Sequence, residues 1–389
     1  MTWPFGGQQA RFLNATELLA ERLGARSGGK SSRVSRQDAM KHSGVWACLR
    51  LRADLISTMP VDIFRRVEGV QMEQPKPKVF ITPGGDQLRW MEFVYSTQVD
   101  LDSVGNTVGV VVERDGNRLP SVIELQKIDD VVFRGKGAKL EYVKVGKHEY
   151  DPSQIWHEKQ YTIAGSPIGL SPIAHAARGI NMGLSAQGFM SDWFDNSVVP
   201  GGHLRNKNKT LDKPEAVTIK ENFEASVKSG EVWVSGNDWE YSMIAAKASE
   251  SGFLESMDVS LADVTRFFGV PGDMIDVPQK GSAITYANIT QRNLQLLITN
   301  LGPAITRREE AWSYGLLPQP RYAKLNTAAL LRMDTKTRME SHGLAITNRI
   351  YPPSRALDME NMPPLTPDEV AEFATLFPVK AALTQGVAA

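Results

Sequence analysis

The chain has 389 residues, 42% hydrophobic and 23% charged, enough apolar material for a sizeable buried core in about two or three structural units. Lys plus Arg (44) balance Asp plus Glu (44), which excludes the excess positive charge that a tight nucleic-acid binder uses to displace counterions from phosphates, though not a weak, sequence-blind contact. The single cysteine, Cys48, excludes an intrachain disulfide, and no apolar run approaches the roughly 18 residues that a membrane span requires.

Met1-Thr2-Trp3-Pro4-Phe5-Gly6-Gly7 has neither a basic n-region nor an apolar h-region, so a soluble chain in a reducing cytoplasm is expected. Residues 1–37 read as a flexible arm with a short helix near Thr16 to Leu23. Within it, Gly24-Ala25-Arg26-Ser27-Gly28-Gly29-Lys30-Ser31 satisfies the phosphate-loop pattern letter for letter. Such a loop needs a strand before it and a helix after it. Here helical character precedes and polar Ser32 to Arg36 follows, so the match is read as coincidence.

Ser35-Arg36-Gln37-Asp38 resembles a capping box, and Val45, Trp46, Leu49, Ala53 and Ile56 recur at helical spacing up to Pro60, which predicts one buried helix. From Val61 to His157 the pattern turns to short strands: Val61 to Val67, Thr107 to Glu113, Ser121 to Leu125 and Leu140 to Val145. Pro172 to Asn196 reads as a long helix with Ile173, Ala177, Ile180 and Leu184 on one stripe. Its small residues Ala176, Gly179, Gly183 and Ala186 predict a close neighbour, for which a helix of another subunit is the expectation. Asp212, Pro214 and Glu215 start a helix, and Trp239 to Ile244 pairs with Val232 to Val234 as a hairpin. A helix over about Ser249 to Phe268 stops at Gly269 and Pro271, and 269–284 is a loop. A helix over about Thr285 to Leu316 should bend at Gly302-Pro303, followed by helices over about Thr327 to His342 and from Thr366.

Nothing in the chain proposes catalysis. Pro167 and Pro172 follow Ser166 and Ser171 and remove the amide a nucleophile elbow needs. The six histidines lack metal-ligand spacing, so no metal and no cofactor are expected. Arg307-Arg308-Glu309-Glu310 reads as a solvated helix face or a subunit contact. Two basic stretches, Lys136 to Lys147 and Arg205, Lys207, Lys209 and Lys213, are either solvated turns or docking surfaces for an acidic partner or passing phosphate.

Phe267-Phe268-Gly269-Val270-Pro271, then Thr285-Tyr286-Ala287-Asn288-Ile289 and Leu301-Gly302-Pro303, resemble the portal proteins of tailed bacteriophages, HK97 type. Ile155-Trp156-His157, Gly169-Leu170-Ser171-Pro172-Ile173, Asn196-Ser197-Val198-Val199-Pro200-Gly201-Gly202, Leu331-Arg332-Met333-Asp334 and Thr347-Asn348 follow that family's order, so the likeness spans about residues 38–360. It implies an α+β, portal-type fold: an arm (1–37), an α/β wing (38–171), a stem helix (172–196), a small α/β clip (197–248) and a second stem helix (249–268). A tunnel loop (269–284), a kinked helix returning to the wing (285–326) and a helical C-terminal crown (327–389) complete it. The resemblance also implies a non-enzymatic subunit of a ring, commonly of about twelve copies closed head to tail, at one capsid vertex of the virion and assembled in the host cytoplasm. Its implied partners are double-stranded DNA, the terminase large subunit, the major capsid or scaffolding protein and a head–tail adaptor, with no membrane. On the implied tunnel loop Gln279, Lys280, Gly281 and Ser282 are the DNA candidates; on the implied clip Arg205, Lys207, Lys209 and Lys213 are the partner candidates. The competing readings are a packaging ATPase built on Lys30 and another phage ring such as a tail adaptor.

Overall fold

A computed structural model describes residues 34–137, 139–195, 202–208, 210–229, 238–243, 253–275, 291–292, 294–327, 335–360 and 362–376. They fall into two units, one within Met1–Thr327 and one within Ala328–Ala389. The Lys30 motif and the helix expected near Thr16 lie outside the described residues.

Val34 is already buried in the core with Ala39 and Val45, so the packed chain begins before residue 37. Arg36 fastens it, because its guanidinium pairs with Asp100 at 2.7 Å. Helix α1 (Arg36–Ala39) is capped by Ser35, whose Oγ accepts from the Asp38 amide at 3.0 Å. The single helix expected up to Pro60 is broken after α1, and α2 (Ser43–Ser57) carries the buried Val45, Cys48, Leu49, Ala53 and Ile56. Trp46 falls off that stripe and is 43% exposed. Gly44 explains the tight start of α2: a Cβ there would lie 2.4 Å from Leu261 Cδ1.

Strands β1 (Val61–Val67) and β2 (Val70–Gln74) form a hairpin closed by Glu68 (φ 52) and Gly69 (φ 84), the left-handed pair of a two-residue turn whose twist matches the strands. Helix α3 (Trp90–Val104) corrects the all-strand expectation for this stretch. Its buried face includes Thr97, Gln98 and Asp102 beside Phe93, Val94 and Leu101, so apolar periodicity alone misses it. Strands β3 (Asn106–Arg114), β4 (Pro120–Leu125), β5 (Val131–Lys136), β6 (Lys139–Val145), β7 (His148–Tyr150) and β8 (Ile155–Lys159) build two antiparallel sheets, β4-β3-β8 and β5-β6-β7. Val108, Phe133, Val143, Ile155 and Ile168 fill the space between elements.

Helix α4 (Pro172–Asp195) matches the expected long helix. After it come β9 (Gly202–Asn206), α5 (Lys213–Ser229) and β10 (Trp239–Met243). Strand β10 pairs antiparallel with β9, Tyr241 facing Leu204; Val232 to Val234 and Gly236-Asn237 of the expected hairpin lie outside the described residues. Asn206 Nδ2 donates to Asp238 at 2.8 Å and the Lys207 amide to the Asp238 carbonyl at 2.8 Å, which fixes the β9 pairing.

Helix α6 (Phe253–Phe268) lies alongside α4, its Val264 and Phe268 packing with Ile173, Ala176, Ala177 and Ile180. The N-terminal half of α4 therefore meets the C-terminal end of α6, and the pair is antiparallel. On the small stripe, Ala176 and Gly183 are buried within the single chain, while Gly179 is half-buried and a Cβ there would make only an ordinary contact, 3.9 Å from Asp263 Cβ. Gly269, at φ 64, ends α6.

The segment after it is more ordered than the loop expected from 269. Val270 is 3% exposed, and the 3-10 turn Gly272–Ile275 packs Met274 and Ile275 on the core. Residues 276–290 lie outside the described set. At Gly302-Pro303 the structure marks the expected joint with a π-helix, Leu296–Leu301, feeding α7 (Gly302–Gly315). Strand β11 (Arg321–Leu325) then returns to pair with β1, Val61 facing Leu325.

In the second unit, α8 (Thr335–Thr347) runs five residues past its expected end at His342. Helix α9 (Pro353–Met359) occupies the Pro-rich stretch, with Pro353 in the first turn where its missing N–H is harmless. Helix α10 (Pro367–Leu376) starts at the expected Thr366, whose Oγ accepts from the Glu369 amide at 3.3 Å. Glu360 accepts from Arg338 Nε at 2.6 Å and lies 3.0 Å from His342 Nε2; these hydrogen bonds hold its carboxyl below the usual range.

Candidate functional site

The strongest concentration of polar chemistry among the described residues is a buried chain of side chains joining α2, α3, β8, the π-helix and α7. It begins at Asn300. The Asn300 Nδ2 donates to the carbonyls of Phe268, at 2.9 Å, and Gly269, at 2.8 Å, and Asn300 Oδ1 accepts from Arg52 Nη1. Arg52 then grips Asp102 with both prongs, Nε at 2.9 Å and Nη2 at 3.0 Å. Burial works against the Arg52 charge, but Asp102 outweighs it and holds the guanidinium above its ordinary value.

From Asp102 the chain continues through Gln98, which donates to the carboxylate at 2.8 Å and accepts from Arg308 Nη1 at 3.1 Å. Arg308, fully buried, has an acceptor for every guanidinium N–H: Glu158, Gln98, Thr97 and the Val94 carbonyl. Trp312 Nε1 adds a bond to Glu158 at 3.2 Å. Burial pushes Glu158 up and Arg308 down, each toward neutrality, while the ion pair pulls both back. A network satisfied to this degree fixes one arrangement of the helices it joins. Chemically it is an anchor; no nucleophile or proton-transfer pair faces an open cavity here. It also overturns the solvated-face reading for the middle of Arg307 to Glu310: Arg308 and Glu309 are buried while Arg307 and Glu310 are exposed, and Glu309 accepts from the Leu325 amide at 2.8 Å to seat β11.

Asn300 therefore holds together the two ends of the segment that contains Gln279, Lys280, Gly281 and Ser282, which themselves lie outside the described residues. Nearer to them, Asp273 pairs with Arg292, a second tie across the same segment. The other basic candidates are only partly assembled. Arg205 on β9 stands opposite Glu240 on β10, and Lys207 pairs with that same Glu240 at 3.4 Å, both half exposed. Lys213 is exposed at the start of α5, and Lys209 lies outside the described residues. On the other basic stretch, Lys139 and Lys147 are exposed on the β5-β6-β7 sheet. Among the described residues there is no cluster of metal-ligating side chains and no helix long and apolar enough to cross a membrane.

A family model described as phage portal protein matches residues 43–361. The chain belongs to the phage portal protein family. It is 25% identical over 361 residues to the portal protein of Enterobacteria phage HK97, covering 87% of this chain and 83% of that one. To the probable portal protein of Streptomyces phage phiC31 it is 24% identical over 365 residues, covering 87% and 78%. Among solved structures, an HK97-family portal protein from Corynebacterium diphtheriae superposes with a TM-score of 0.59 at 18% identity, over 78% of this chain and all of that one. A chain in the neck of an empty gene transfer agent particle gives 0.58 at 17% identity, over 87% and 95%. One in the native particle's neck, computed with C12 symmetry, gives 0.53 at 17%, over 90% and 100%. The family is one of structural virion proteins, so the portal reading stands and neither the Lys30 ATPase nor the tail adaptor is favoured.

Proposed function

We propose that this portal chain forms a ring at one capsid vertex through which double-stranded DNA enters during packaging and leaves at ejection. Head-to-tail contacts between identical subunits close such a ring, and about twelve copies is the number we infer from its C12-symmetric structural neighbour. The observation that carries the reading is the antiparallel pair α4 and α6, with β9, α5 and β10 between them in sequence and Asn300 clamping the chain just beyond. We assign α4 and α6 to the stem, 197–248 to the clip, 38–171 with 285–326 to the wing, 269–284 to the tunnel loop and 327–389 to the crown.

The proposed mechanism is mechanical. A terminase supplies the work and docks on the clip, where Arg205, Lys207, Lys209 and Lys213 face an acidic partner surface; a capsid or scaffolding protein meets the wing, and a head–tail adaptor takes the vacated ring after packaging. A balanced charge suits a wall along which DNA slides, because neutralising many phosphates at once would hold the duplex in place. Lys280 meets successive phosphates without reading bases. Native mass spectrometry with negative-stain imaging tests the ring, and a particle without a central hole ends the proposal. DNA packaged by Lys280→Ala and Lys280→Glu particles tests the loop, which loses its role if both package as the unaltered chain does. Deleting residues 205–245 should abolish terminase capture; retained capture removes the clip assignment.

A further inference from the structure

We propose that the outer end of the β11-β1-β2 sheet is a docking face for a protein segment that carries carboxylates beside apolar side chains, held by the neighbouring guanidiniums of Arg65 and Arg321. The inference rests on the reading in which a capsid or scaffolding protein meets the wing, and it names where that partner sits.

Alternation along β1 sends Val61, Ile63, Arg65 and Val67 to one face. Register adds Gln74, Met72 and Val70 from β2, and Leu325, Ala323 and Arg321 from β11. The face changes character along its length. Val61, Ile63, Ala323 and Leu325 are buried in the core, whereas Val67, Val70 and Met72 are 40%, 64% and 50% exposed. The apolar side of the sheet thus runs on beyond the core with nothing among the described residues covering it, the mark of an interaction surface. Within that stretch Arg65 and Arg321 stand directly opposite each other, and Met72 flanks Arg65 on its other side. Like charges so placed repel, and neither guanidinium has an ion pair or hydrogen bond among the described residues. Other cations of the same sheet region are paired: Lys324 with Glu309 at 2.5 Å, and Lys76 with Asp62 at 3.4 Å. Arg65 is exposed and Arg321 half-buried, so both are open to a partner. Two planar forks side by side match carboxylates bidentately. The three apolar side chains beside them favour a polypeptide, which can cover them with aliphatic groups that a nucleic-acid backbone lacks.

The test uses the full-length chain with Arg65→Glu and Arg321→Glu together, and with the milder Arg65→Gln and Arg321→Gln together. Arg66→Glu is the control, since Arg66 is exposed on the same strand but lies on the opposite face, across from Gln71. Fluorescence anisotropy reads binding of a labelled peptide repeating Glu-Ser-Val-Ser, which as an extended chain puts carboxylates and valines on one side. The same peptide with Gln for Glu, and a short DNA duplex, are the comparison probes. Native mass spectrometry reads ring formation, and coexpression with the capsid and scaffolding proteins of the same virus reads portal incorporation. We expect rings in at least the Gln variant, peptide affinity reduced at least about tenfold in both double variants, and incorporation reduced at least about threefold, with Arg66→Glu changing none of these. The Gln-containing peptide should bind the unaltered ring at least about tenfold more weakly. Unchanged peptide affinity in the double variants overturns the proposal. Equal or tighter binding of the duplex, lost in the same variants, overturns it in favour of a phosphate contact. Loss of rings in both double variants overturns it in favour of a contact between subunits. Lost peptide binding with normal incorporation removes the underlying reading of a capsid partner on the wing while leaving the docking face.

Discussion

Replacing Arg308 by Met tests whether the buried chain from Asn300 to Trp312 acts as a coupled unit. Arg308→Met keeps most of the volume but leaves Glu158 fully buried with Trp312 Nε1, at 3.2 Å, as its remaining side-chain donor. Breaking a buried pair this way costs about 3–5 kcal/mol, because the remaining charge is uncompensated. Burial already pushes the Glu158 carboxyl up and Arg308 pulls it back, so without Arg308 the carboxyl rises further and can escape the orphaned charge by taking a proton, the more readily the lower the pH. With its folded-state pKa raised, Glu158 in the variant is best tolerated at low pH and destabilises increasingly as the pH rises, so the loss should be smaller at pH 5 than at pH 7. Adding Glu158→Leu removes the orphaned charge, and the double variant should recover at least about 2 kcal/mol of the summed single losses. Urea unfolding at one protein concentration, repeated at both pH values, measures all of this. Single losses that add within about 0.5 kcal/mol and do not change with pH would refute the coupling.

Three further outcomes follow from single sites. Burial pushes the Asp100 carboxyl from 3.8 up to about 6, with Arg36 opposing the shift; its folded-state pKa is thus raised, and the stability it contributes is lost as the pH climbs through 6. Comparing Asp100→Asn with the unaltered chain should show the gap moving toward the variant by up to about 3 kcal/mol between pH 4 and pH 7.5, and a constant gap contradicts this. Gly105→Ala places a Cβ 2.0 Å from the Leu170 carbonyl oxygen at a residue with φ 74, so denaturant unfolding should report a loss of at least about 2 kcal/mol. Gly188 lies inside α4 with nothing within 4 Å of a Cβ. Gly188→Ala should therefore raise the unfolding free energy of the subunit by about 0.5–1 kcal/mol, and a loss would mean that the position is crowded.

Elements with an apolar stripe or a stop signal were legible from the residues alone: α4, the end of α6 at Gly269, β1, β6 and the Thr366 cap. Those whose buried face is polar were not. Helix α3 presents Thr97, Gln98 and Asp102 to the interior, positions that read as surface until two guanidiniums, from α2 and α7, arrive to satisfy them. Arg308 beside Glu309 looked like a solvated face for the same reason. Partners that are distant along the chain were equally hidden: the β9 that pairs with β10, and the α6 whose Val264 and Phe268 pack on α4.

Local pattern and motif order together determined the long helices, the turn positions and the family resemblance, because side-chain periodicity and glycine or proline stops act within a few residues of chain. Tertiary structure alone decided which carbonyls Asn300 would bridge and which carboxylate each buried arginine would find. Those bonds join residues separated by 31 to 248 positions, and the worth of a buried charge depends on whether its partner is there in space, which no local window of sequence records.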